Sequence, residues 1–134
     1  MNLTATQLIK KAILTEILSW AENFKIKTVP ETPEGIDEAW EIMLEDGIDQ
    51  DTCEEWRQSG IDTDLPAPFN RNYEIDIIAR KIENHWISWP LEYGGGKHQE
   101  FSSYDWVEDA EFVDCKEEEK LVTIRTFSKK SIIK

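Results

Sequence analysis

The chain has 134 residues, of which 40% are hydrophobic, and these include six Trp, five Phe and three Tyr. This length fits one domain, residues 1–134, and a chain so rich in aromatic residues is not intrinsically disordered. Fifteen basic and 28 acidic residues give a net charge of −13, which excludes the usual composition of a protein that binds nucleic acid or an anionic membrane directly.

The negative charge is concentrated in the middle of the chain. Residues 1–27 have four Lys and two Glu (+2), residues 28–69 have 13 acidic residues and one Arg (−12), and residues 70–134 have ten basic and 13 acidic residues (−3). A small domain needs a net charge of only about 2 to 8 in magnitude for solubility. The excess negative charges repel one another and destabilise the fold. Their concentration in one segment therefore favours a role in binding a basic surface.

The pattern of residues 4–24 predicts an amphipathic helix, with a capping box formed by Thr4 and Gln7. Lys10 and Lys11 interrupt its apolar positions, unlike the unbroken apolar stretch of a secretory signal. No apolar run approaches the roughly 20 residues that a membrane span requires. We therefore expect a cytoplasmic protein.

Two short acidic helices are predicted next, over about residues 33–46 and 51–59. Thr32 and Pro33 fit the N-cap and first position of the first helix. Glycine commonly follows the end of a helix, so we expect Gly47 and Gly60 to terminate the two helices. The second helix is expected to begin at Asp49 or at Asp51.

The remaining chain has the alternating pattern of β-strands. Strands are predicted over 73–80 and 87–93, joined by a turn at Glu83-Asn84, and over 110–115 and 121–127; residues 62–72 form a loop, and residues 128–134 a frayed tail. Pro90 indicates an edge strand or a bulge. The fold class is α+β: a long N-terminal helix and a short acidic helical pair packed on a three- to four-stranded antiparallel meander.

The acidic helical pair is either a solvated surface with cap residues or a partner-binding site, and it is the leading candidate for such a site. Carboxylates three and four residues apart share one face of a helix and can imitate a row of phosphates. The candidate residues are Glu34, Asp37, Glu38, Glu41, Glu45, Asp46, Asp49, Asp51, Glu54 and Glu55.

A divalent-cation loop is a weaker reading of the same segment. Asp46, Asp49 and Asp51 resemble the start of a calcium loop, but Glu54 stands where an EF-hand needs Gly and Gly60 where it needs Glu. We expect neither a metal nor a cofactor.

A secondary contact site is predicted around the glycine-rich loop that follows the second strand. Its candidate residues are Gly95, Gly96, Lys97, His98 and Trp86. The loop lacks the leading Gly and the trailing Ser/Thr of a Walker A motif. Trp86 and Trp89 lie on opposite faces of one strand; we expect Trp89 in the core and Trp86 under the N-terminal helix. The alternative for Trp86 is an exposed position, where it would be a candidate interface anchor.

The leading functional hypothesis is an inhibitor that presents an acidic face to a basic protein, such as a nucleic-acid mimic of the kind that phages and mobile elements use. The first alternative is an immunity protein that neutralises one cognate toxin. The second is a small enzyme or ligand-binding domain that uses the 94–109 loop, where His98, Glu100, Tyr104, Asp105 and Asp109 lie close in sequence. No nucleophile motif accompanies them, so we do not expect an enzyme. The chain is expected to be a monomer or a homodimer.

Overall fold

The computed structural model describes residues 2–47, 50–69, 71, 73–94, 104–119 and 121–130. Three α-helices precede a four-stranded antiparallel meander with the strand order β1-β2-β3-β4, which confirms the predicted α+β class. The elements are α1 (Ala5–Trp20), α2 (Pro33–Asp46), α3 (Gln50–Arg57), β1 (Ile61–Asp62), β2 (Glu74–Ile82), β3 (His85–Tyr93), a 3₁₀ helix (Asp105–Asp109) and β4 (Glu111–Val113).

Helix α1 begins at the predicted capping box. The Thr4 hydroxyl accepts a hydrogen bond from the Gln7 amide at 3.1 Å, and the Gln7 side chain accepts one from the Thr4 amide at 3.0 Å. The helix ends at Trp20, four residues earlier than predicted, because Ala21 has an extended backbone. Phe24 is nevertheless buried, so it reaches the core from a loop. An apolar residue in helical register is therefore no proof that the helix continues.

Helix α3 is fixed to the sheet by contacts at its C-terminal end. The Trp89 indole donates to the Arg57 carbonyl at 2.8 Å, and the Arg57 guanidinium donates to the Glu92 carbonyl at 3.1 Å. The Arg80 guanidinium lies 3.7 Å from the centre of the Trp56 ring, a cation–π contact. These contacts hold α3 against β2 and β3.

Gly60 has a different role from the predicted one. It lies three residues beyond the end of α3, and a Cβ atom there would meet the Ala79 amide and the Ile78 side chain at 3.0 Å. The glycine therefore permits a close approach to β2 and does not terminate the helix. Asp51 is likewise in the first turn of α3 and not at an N-cap.

The core lies between the helices and one face of the sheet. Ile78, Ile82, Ile87 and Trp89 line this near face and share one cluster with the apolar side of α1. Ile75 and Ile77 lie on the opposite, far face of the sheet and are half-buried. Strand β2 is apolar on both faces, so its alternation alone could not identify the helix-covered side.

Two of the predicted strand features need correction. Residues 121–127 form no strand in the described chain, and the short strand β1, which pairs with β2, overlaps the start of the predicted 62–72 loop at Asp62. Strand β3 lies between β2 and β4, but β4 pairs only with Trp86–Ser88. Pro90 lies beyond that pairing, in unbroken register with Ile77 of β2. At Pro90, β3 is paired on the β2 side alone, so this part of the strand is an edge of the sheet. There is no bulge at this position.

We expect Tyr93 to stay protonated in strongly alkaline solution. Hydrogen bonds from its hydroxyl to the carboxylates of Glu74 and Asp76 raise the pKa of Tyr93 to about 12, because they favour the neutral phenol. The raised folded-state pKa adds stability below pH 10 that is lost as the pH rises from about 10 to about 12. At pH 11, tyrosinate absorbance should show about one-tenth ionisation at Tyr93, assigned by difference from Y93F.

The variant E74Q/D76N is the matched test of the cause. It should lower the pKa of Tyr93 toward 10, and circular dichroism at the same pH verifies that both proteins remain folded. Nearly complete ionisation of Tyr93 at pH 11 in the unmodified protein would contradict this account.

Candidate functional site

Helix α2 is defined at both ends by its own sequence. The Thr32 hydroxyl accepts a hydrogen bond from the Gly35 amide at 3.1 Å, and Pro33 follows at the first helical position. Gly47 ends the helix in the left-handed conformation, with φ of 61°. A Cβ atom on Gly35 would lie 2.6 Å from the Pro30 side chain, so glycine allows the preceding loop to fold against the helix. These features confirm the predicted bounds of 33–46.

The two faces of α2 have opposite characters. Ile36, Ala39, Trp40 and Met43 are buried against the core. Glu34, Glu38, Glu41 and Glu45 recur at steps of four and three residues on the other side, and all four are exposed. Neighbouring members of such a row are separated by about 5–6 Å. We call these four glutamates the carboxylate stripe; the eleven residue-to-residue steps from Glu34 to Glu45 give it a length of about 16 Å.

Three of the predicted site residues are paired within the protein. The Asp37 carboxylate accepts a hydrogen bond from the side-chain amide of Gln7 at 3.1 Å and lies 3.5 Å from the Lys10 amine. Asp46 pairs with Lys25 at 3.2 Å, and Glu54 with Arg57 at 3.2 Å. Asp37 and Asp46 connect separate parts of the fold, whereas Glu54 pairs within α3, and we assign all three a structural role.

The carboxylate stripe has no such neutralisation. Among the described residues, no hydrogen bond or ion pair involves a stripe side chain, and the same holds for the exposed Asp51 and Glu55 on α3. Asp49, the remaining member of the predicted set, lies outside the described residues. The structure thus divides the predicted site into a paired group and an unpaired, solvent-facing group.

The arrangement of the stripe works against the stability of its own helix. Glu34 and Glu38 form a like-charge pair four residues apart, as do Glu41 and Glu45, and each such pair costs about 0.2–0.5 kcal/mol. Glu45 also lies in the last turn, where the helix dipole favours cations, and α2 has no basic residue there. The row therefore weakens the helix that carries it.

Lys10 fixes the position of α2 relative to the rest of the molecule. This largely buried lysine extends from α1, and its amine lies 3.5 Å from Asp37 on α2 and 3.3 Å from Glu108 in the 3₁₀ helix. It also lies 5.9 Å from the centre of the Trp40 ring. One side chain thus joins three elements on the buried side of α2 and leaves the stripe on the outer side.

The secondary contact site is only partly described. Gly95, Gly96, Lys97 and His98 lie outside the described residues. Trp86 is half-buried on the far face of the sheet, opposite Lys81 of β2 and Val113 of β4. The expectation that it lies under α1 is wrong, because α1 covers the other face through Ile87 and Trp89.

A groove on the far face was not predicted from the sequence. It has a volume of about 650 Å³ and lies between the Leu65–Pro68 loop and the Glu108–Glu111 segment, with Ile75, Ile77 and Pro90 among its lining residues. Two sequence features could have indicated this groove: the apolar character of both faces of β2 and the proline-rich loop before it. We call this feature the far groove.

The remaining chemistry-bearing groups make no assembled site in the described part of the chain. Cys53 is buried and Cys115 exposed, and no disulfide bond joins them. No cluster of three or more metal-ligating side chains occurs among the described residues. His98 and Glu100 of the alternative 94–109 site lie outside them, whereas Asp109 lines the far groove. Among those residues, no helix combines the length and apolar composition needed to cross a bilayer.

Comparison of the chain with known protein families, with curated proteins and with solved structures finds no match. Function must therefore be argued from the stripe itself.

We expect the variant E38Q/E41Q/E45Q to be more stable than the unmodified protein. Removing like-charge neighbours and a carboxylate at the helix C-terminus should raise the free energy of unfolding by about 1 kcal/mol at low salt. Urea denaturation measures the change, and high salt should reduce it. The exposed pair Glu22 and Glu31, changed to Gln, is the control and should alter stability little. A loss of stability in the triple variant would show that the stripe supports the helix.

Substitution of Lys10 tests the connection between the three elements. Lys10→Ala should cost about 2 kcal/mol, because the buried aliphatic stem and the cation are both lost. Lys10→Met retains the apolar volume and should cost only about 1 kcal/mol, since Asp37 and Glu108 remain partly exposed and can be hydrated. Thermal unfolding compares the two variants, and equal losses would mean that packing of the stem contributes nothing.

Proposed function

We propose that this chain is an inhibitory binding protein that presents the carboxylate stripe of α2 to the basic cleft of a nucleic-acid-binding protein. The observation that carries the proposal is a row of four exposed glutamates on one well-capped helix, none of them paired with a residue in the described part of the chain. Clefts that bind nucleic acid are lined with Lys and Arg that neutralise phosphates. A row of carboxylates offers the same cations an alternative partner and can keep the nucleic acid out.

The spacing of the stripe suits such a cleft. Duplex DNA presents a phosphate every 3.4 Å of axis on each strand, and two strands border each groove. The stripe places carboxylates about 5–6 Å apart over a length of about 16 Å, which is the scale of a few successive phosphates. Carboxylates accept charge-assisted hydrogen bonds from guanidinium groups, often two at once. Arginine-rich clefts are therefore the favoured targets.

The rigidity of the support adds to the expected affinity. Both ends of α2 are capped, and its inner face is buried through Trp40 and neighbouring apolar residues. A preorganised surface loses less conformational entropy on binding than a flexible acidic tail does. The surrounding negative charge also accelerates encounter with a basic partner, and salt weakens this effect.

Affinity purification from lysate of the native host tests the proposal. The bait is the unmodified chain, and the test variant is E34Q/E38Q/E41Q/E45Q. The control variant, E22Q/E31Q/E117Q/E119Q, removes the same charge from exposed positions elsewhere. We expect a basic partner that the unmodified chain and the control retain, that the test variant loses, and that high salt releases. Recovery of one basic toxin would assign the stripe to neutralisation of that toxin.

Two results would contradict the proposal. A partner retained equally by both quadruple variants would place the binding site elsewhere. A partner with a neutral or acidic surface, held unchanged at high salt, would exclude the electrostatic mechanism. Circular dichroism of each variant distinguishes loss of binding from loss of folding.

A further inference from the structure

The far groove combines an apolar floor with an acidic border. Ile75, Ile77 and Pro90 are half-buried along it, and no helix covers this side of the sheet in the described chain. Four carboxylate residues line the same groove: Glu92, Glu108, Asp109 and Glu111. Of these, Glu108 also pairs with Lys10. The groove therefore suits an extended segment that has apolar side chains and positive charge.

Residues 121–130 of this chain have that composition. They include Arg125, Lys129 and Lys130 and no acidic residue. They also expose four large apolar side chains to between 75% and 107%, those of Leu121, Val122, Ile124 and Phe127. The run is rich in β-branched residues, which favour strands packed on an apolar surface. In the single chain this segment forms no strand and buries none of these side chains.

We propose that the far groove binds residues 121–130 of a second copy of this chain. A reciprocal, two-fold dimer makes the contact twice, so each copy donates its basic segment and accepts that of the other. Charge complementarity supports this occupant, because the only region with several basic and no acidic residues meets an acidic groove. The contact would also cover apolar side chains that the single chain exposes.

This dimer is independent of the proposed inhibitory function. The far groove and the carboxylate stripe have no residue in common, so variants of the groove leave the stripe glutamates unchanged. Two stripes in one particle would engage a dimeric basic partner with greater avidity than one. Failure of the dimer would leave the role of the single stripe untouched.

Light scattering coupled to size-exclusion chromatography tests the proposal on the full chain. The unmodified protein should have a concentration-dependent mass that reaches that of a dimer. The variant I124D/F127D should weaken dimerisation by at least about tenfold, because it removes two apolar side chains from the contact. Both positions are exposed in the single chain, so we expect the variant to fold.

A charge swap tests the groove itself. The variant D109K/E111K should be monomeric, and adding R125E/K129E/K130E to the same chain should restore the dimer. The control E22K/E31K makes an equal charge change at exposed positions away from the groove and should remain dimeric. Circular dichroism verifies the fold of each variant.

Mixing distinguishes a segment donated by another copy from one that folds back. I124D/F127D retains an intact groove, and D109K/E111K retains an intact segment. An equimolar mixture should therefore form a dimer in which the groove of the first variant binds the segment of the second. A monomeric unmodified protein at every soluble concentration would overturn the proposal. A monomer whose segment 121–130 is protected from proteolysis would overturn it as well, because the chain would then occupy its own groove.

Discussion

The burial of α2 against α1 is the constraint on which the rest of the structure depends. Trp40 is 2% exposed and Ile36 and Met43 are fully buried, so the rotation of α2 about its own axis is fixed by its apolar side. A helix with one apolar face has only one low-energy orientation on a core. The carboxylate stripe faces outward because those apolar residues face inward. Lys10 of α1 reinforces this orientation by forming an ion pair with Asp37 of α2.

The distribution of the protein's own cations sets the character of the surface. Lys10, Lys25 and Arg57 neutralise carboxylates at the edges and the base of the helical pair. None of the cations in the described chain reaches the stripe, although like-charge neighbours along α2 destabilise it. A solvated helix face would be more stable with Lys at some of these positions. This cost to stability is the physical argument behind the proposal that the stripe is a recognition surface.

The parts of the fold predicted from the sequence are those governed by local interactions. The Thr4–Gln7 capping box, the Thr32-Pro33 start and the Gly47 end of α2 depend on neighbours within a few residues. The turn at Glu83-Asn84 is also local, and both residues have positive φ as their place between paired strands requires. The common face of the four stripe glutamates could be predicted from the sequence for the same reason, because all four lie in one helix.

The features that the sequence did not predict depend on contacts between distant segments. Residues 121–127 have the composition of a strand, but a strand also needs a partner strand, and in the described chain this segment pairs with none. The side of β2 that the helices cover was ambiguous, because Ile77 and Ile78 are both apolar and face opposite ways. Pairing of Asp37 and Asp46 likewise required Lys10 and Lys25 to be placed in space, whereas the pair of Glu54 and Arg57, three residues apart on α3, was available from the sequence. Sequence spacing thus overestimated the number of free carboxylates.

The most direct test of the central claim is competition between this chain and duplex DNA for the basic protein that the chain captures. If the carboxylate stripe occupies a phosphate-binding cleft, increasing concentrations of the chain should displace labelled DNA completely, and the Gln variant of the stripe should not. Formation of a stable complex that contains the chain, the captured protein and the DNA together would contradict the account.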